Sequence, residues 1–159
     1  MSTLQQHRAA IVAALASVPE IGRVHDRERF AEGNDKFKQL YLFTPTGGVQ
    51  QIRGWWIRRS ATVERSPNLH RTANVHSWQI RGYLSFRDAD ATELELDDLV
   101  EQFRALVRAD PTLGGVCQPG PLGGESEADG VQVVDAGPVN FAGVLCHSVV
   151  LQLKTWSYQ

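Results

Sequence analysis

Residues 75–86 alternate apolar and polar side chains, with Trp78, Ile80, Leu84 and Phe86 on one side and Ser77, Gln79, Arg81, Tyr83 and Ser85 on the other. A period of two over this length belongs to a β-strand in a sheet with one buried and one wetter face. The chain must therefore supply partner strands and a cover for the apolar side. From Val49 a second β segment begins, in which Ile52, Trp55, Trp56 and Ile57 are bulky and arginines fill much of the rest. The connection 60–74, with Ser66-Pro67-Asn68 near its middle, is long for a hairpin turn and is expected to be an exposed, flexible loop. Residues 131–134 and 141–156 are expected to form two further strands joined around Ala136-Gly137-Pro138. In the second, Phe141, Leu145, Val149, Leu151 and Leu153 are expected to share a face.

Two helices can cover such a sheet. Over 92–109, Leu96, Leu99, Val100, Phe103, Leu106 and Val107 recur at helical spacing, acids fill the first turns, and Arg104 and Arg108 stand in the last. Thr92 and Glu95 have the spacing of a capping box, and Asp110-Pro111 ends the helix. Residues 3–17 predict an amphipathic helix capped by Ser2 or Thr3, with Leu4, Ile11, Val12 and Leu15 inward and Pro19 at its end. A short strand is expected over 21–26, and 27–39 shows no clear period and reads as loop. The Gly/Pro-rich stretch 111–130, which ends in an acidic run over 125–129, is expected to be a second flexible loop. The fold class that follows is α+β, a mainly antiparallel β-sheet with two α-helices packed on one face. It is expected as one domain over 1–159, a length at which roughly 70% of the unfolded surface is buried.

A formal net charge of −2 conceals a strong segregation. Residues 50–87 hold seven arginines and one acid, whereas residues 88–135 hold twelve acids and two arginines. Solvated faces of differing sign explain this blandly. The sharper explanation is that the basic surface of one copy meets the acidic surface of the next, since complementary potentials steer and register subunits. On that account Arg53, Arg58, Arg59, Arg65 and Arg71 face Asp97, Asp98 and Glu101 across a subunit or partner interface.

No motif for enzymatic chemistry emerges. GxGxxG after a strand, GxxxxGK[ST], HExxH and GxSxG are all absent. The five histidines have no metal-ligand spacing, and no catalytic residue, metal ligand or cofactor is expected. A nucleophilic pair of Cys117 or Cys146 with His76 or His147 would depend on the fold bringing them together. The two cysteines form no CxxC pair, and with no secretory segment they are expected as reduced thiols in the cytoplasm. No apolar run approaches the roughly 20 residues that span a bilayer, so no membrane partner is expected. Arginines interleaved with Trp55, Trp56, Trp78 and Tyr83 suit single-stranded nucleic acid, but the pI near 6.2 argues against a dedicated binder, and cross-strand pairing explains the same residues. A small α+β ligand-binding or protein-interaction module is the alternative function, with an apolar pocket beneath Trp55, Trp56 and Trp78.

The order of elements, together with Asp110-Pro111-Thr112-Leu113-Gly114-Gly115-Val116 after the second helix, resembles the tail terminators and related head–tail joining proteins of tailed bacteriophages. The likeness covers nearly the whole chain in layout and this one stretch in letters. It implies a minor tail protein of a phage or prophage that forms a ring, commonly a hexamer, at the head-proximal end of the tail tube. Its partners would be copies of itself, the tail-tube protein and the head connector, with non-specific contact to DNA in the channel. Its location would be the bacterial host cytoplasm during assembly and then the virion. The family carries no catalytic residues. Loops 60–74 and 111–130 would be the docking segments.

Overall fold

The computed structural model describes residues 1–120 and 130–159, with the side chains of Pro67 and Asn68 left aside. It is an α+β fold built from helices α1 (Thr3–Ala16), α2 (Asn34–Gln39) and α3 (Thr92–Ala109). The strands are β1 (Arg23–His25), β2 (Leu42–Phe43), β3 (Gln51–Asn68), β4 (Arg71–Ser85), β5 (Gln132–Phe141) and β6 (Val144–Tyr158). The sheet runs β1-β3-β4-β6-β5, with β2 beside the start of β3. Every pairing is antiparallel except β1 with β3.

One face of the sheet carries Trp55, Ile57, Trp78, Ile80, Leu84, Val149, Leu151 and Leu153. As expected, the two long helices cover it, α1 through Ile11 and Leu15 and α3 through Leu96, Leu99, Val100, Phe103 and Val107. Each large apolar side chain buried this way contributes about 1.5–3 kcal/mol. The opposite face has its own smaller core of Tyr41, Ile52, Trp56, Tyr83, Phe141 and Cys146, roofed by α2 through Phe37. Tyr83 stacks on Phe141 with ring centres 3.8 Å apart. The polar stretch expected as loop thus contains a helix, too short to show a period. The two cores explain why Trp55 and Trp56, adjacent on β3, are 1% and 3% exposed on opposite faces.

Four expectations are corrected. Residues 60–74 are not a loop: β3 and β4 run on to a two-residue turn at Leu69-His70, with Asn68 paired to Arg71. Likewise β5 continues through Ala136-Gly137-Pro138, and the reversal is Ala142-Gly143, both at positive φ. Pro138 is accommodated because β5 is an edge strand, whose outward N–H positions need no partner. The expected common face of β6 also divides: Val149, Leu151 and Leu153 meet the helices, Phe141 joins the other core, and Leu145 is 54% exposed. Finally, α3 has no side-chain cap. The Thr92 hydroxyl instead accepts from Arg87 N–H at 3.0 Å and bonds His147 Nε2 at 2.8 Å, while Glu95 turns to Arg53. Of the stretch 111–130, residues 121–129 lie outside the described residues, and Gln118 bridges to Trp156 of β6.

Candidate assembly surfaces

Three strands outrun the helices. β3 from Arg58 onward, the end of β4 from His76 to Arg71 and the last residues of β6 form a blade that ends at the Leu69-His70 turn, with His76 at its base in contact with His7 of α1. β1 pairs with β3 only at residues 54–56, so among the described residues the outer edge of β3 from Ile57 onward has no partner strand. Residues 58–66 are exposed throughout. Residues 58–71 carry four arginines and one acid, so the blade is basic as well as open.

The interface residues expected from sequence divide by location. Arg53 is the correction: it is 2% exposed, on the helix-covered face of β3. Its guanidinium bonds Glu95 of α3 and donates to the Glu20 carbonyl at 2.8 Å, so it joins elements within the molecule. It fits because Gly22 has no side chain; a Cβ there would stand 2.2 Å from the Arg53 carbonyl oxygen. Arg58 is exposed, pairs with Glu28, and lies 5.0 Å over the Trp56 ring. Arg59, Arg65 and Arg71 are exposed along the blade, Arg59 bonding Thr62 and Arg71 lying over Tyr158. On α3, Asp97, Asp98 and Glu101 are all exposed, with Glu101 paired to Arg104 at 2.8 Å. Among the described residues, two ion pairs link the basic and acidic segments, Arg53–Glu95 and the local Arg87–Asp90.

Two of the clefts near α3 have largely apolar walls. The larger, 600 Å³, lies between α1 and the end of α3 and is lined by Ala9, Ala13, Leu106 and Leu113. Asp110, the acid in that lining, accepts from Thr112 N–H and Oγ1 through one oxygen and from Gly114 N–H through the other. These bonds hold its carboxyl below the usual range and shape the Asp110-to-Gly115 turn, where Leu113, Gly114 and Gly115 take positive φ. The second cleft, 420 Å³, lies between α3 and β5–β6, with Leu96, Val100 and Val149 in its wall and Glu93, Asp97 and Glu101 along it. Neither cleft is lined by tryptophan. Trp55 and Trp78 are filled core, their Nε1–H groups donating to the Ile21 carbonyl and to Thr155 Oγ1.

The groups weighed for chemistry lie apart or are muted. Cys146 points into the smaller core, while its neighbour His147 bonds Thr92 on the other face. Both cysteines are free and buried, and burial pushes each thiol up to about 11, the opposite of an activated nucleophile. Among the described residues, no group of three His, Cys, Asp or Glu side chains is placed to hold a metal ion. Among the same residues no helix is long and apolar enough to cross a membrane. Sequence reasoning missed the buried pair His7 and His76, whose rings meet edge-on at 5.5 Å. The signal was available: His7 precedes Ile11 and Leu15 at four-residue intervals, the inward stripe of α1. No protein-family model matches the sequence, and a search of curated proteins finds no relative.

Proposed function

We propose that the protein is an assembly subunit that joins copies of itself head to tail, and that the assembly is the ring of a phage or prophage tail terminator. The ring would cap the head-proximal end of the tail tube and meet the head connector, in the host cytoplasm during assembly and in the virion afterwards. The observation that carries this reading is the separation of exposed charge. Arg59, Arg65 and Arg71 stand on the blade, while Asp97, Asp98 and Glu101 stand on α3. Two different patches of opposite sign on one subunit suit a heterologous contact, which closes into a ring when its rotation allows.

Size-exclusion chromatography with light scattering, at rising concentration and falling salt, tests self-association. Oligomers that grow as salt falls are expected, because screening weakens such contacts. Binding to purified tail-tube protein tests the specific assignment. A monomer in every condition that also ignores tail tube overturns it.

A further inference from the structure

Leu69, at the blade tip, is 99% exposed, the most exposed large apolar side chain among the described residues. Arg65 and Arg71 flank it, both exposed. An apolar side chain held at the end of a two-stranded ribbon between cations is costly to leave in water and fits a pocket with an apolar wall and an acidic rim. The cleft between α3 and β5–β6 has that character. Leu96, Val100 and Val149 give it an apolar wall, and Glu93 and Asp97 give it charge beside Glu101, which pairs with Arg104. Glu93 and Asp97 enter no ion pair among the described residues. Its 420 Å³ is room for roughly a dozen waters, ample for one leucine with its flanks. The larger cleft beside α1 offers apolar volume but no comparable charge, since the Asp110 carboxylate is already held by Thr112 and Gly114.

The two features cannot meet within one molecule. The tip lies at the Arg71 end of β4, and the cleft, lined by Phe86, His147 and Val149, lies level with the opposite end, from Gly82 to just past Ser85. At about 3.3 Å per residue the strand holds them roughly 35–45 Å apart. Contact between them is therefore between copies. It joins unlike patches and leaves each subunit with one tip and one cleft to offer.

We propose that the blade tip of one copy, Leu69 with Arg65 and Arg71, seats in the acidic cleft between α3 and β5–β6 of a second copy. This deepens the self-assembly reading and rests on it. The test mixes two variants, Leu69→Cys and Ala136→Cys, the second on the cleft lining, and treats them with a short thiol crosslinker at low salt. The native thiols are buried and stay out of the reaction. Crosslinked dimer is expected only when both variants are present. Leu69→Asp, at a fully exposed position, should keep its unfolding midpoint while self-association weakens about tenfold or more. Oligomers that form with no 69-to-136 link, together with wild-type association of Leu69→Asp, overturn the tip-in-cleft contact and leave self-assembly standing. A link from position 69 to an Ala13→Cys variant, in the cleft beside α1, also overturns it. A monomer in all conditions overturns both readings.

Discussion

Arg53 lies on the helix-covered face of β3, where its guanidinium reaches Glu95 on α3 and the Glu20 carbonyl. Removing it leaves those acceptors without their cation, so Arg53→Met is expected to lower the free energy of unfolding by about 2–3 kcal/mol in urea, less than a fully buried pair because Glu95 is half-exposed. Self-association per folded molecule should not change. The histidines make a second prediction. Burial chiefly lowers the affinity of His7 and His76 for protons, with His76 adding to the effect on His7 and Arg59 to that on His76. The Thr155 hydroxyl accepts from Trp78 and is placed to donate to His7 Nδ1, an arrangement for neutral imidazole. The unfolded chain then binds protons that the native one refuses. Stability is full above about pH 6.5 and is lost as pH falls below it. Urea midpoints from pH 7.5 to 5 should show that slope, and His76→Gln should flatten it. Neither role was legible from residue type alone. An arginine on a strand is inward or outward according to parity and to which helix lies above, and the sequence around Arg53 gives alternation on neither side because both faces are buried there.

At the scale of elements, α3 was legible because it has one apolar side and one wet side, so its period shows in the letters, and β4 because its helix-covered face alternates with more polar residues. The blade was not. Residues 58–66 of β3 are exposed on both faces, so that stretch has no apolar alternation, and a polar strand looks like a polar loop. The opposite failure hid α2, whose six residues are too few for a helical period. The junction of β3 and β4 depends on a missing side chain: a Cβ at Gly82 would stand 2.4 Å from the Trp55 ring. Gly82→Ala is expected to displace that indole and cost about 1–3 kcal/mol, measured by urea unfolding together with a shift in tryptophan emission.

For the whole molecule, the α+β class and the two helices on one face follow from patterning, whereas the second core does not, because its members come from α2, β3, β4, β5 and β6 and share no local period. The candidate surfaces were half legible. Composition located the charge, but only the strand pairing shows that Arg59, Arg65 and Arg71 share a blade while Arg53 is interior. The sheet order has one more consequence. β6 lies between β4 and β5, and its pairing with β4 joins residues some seventy positions apart, such as Ile80 with Leu151. During synthesis, β4 must wait with an open edge, and β5 with no neighbour at all, until 144–158 have left the ribosome. Folding is therefore late and all at once, and nascent chains stalled before residue 144 should be digested by protease where the longer ones resist.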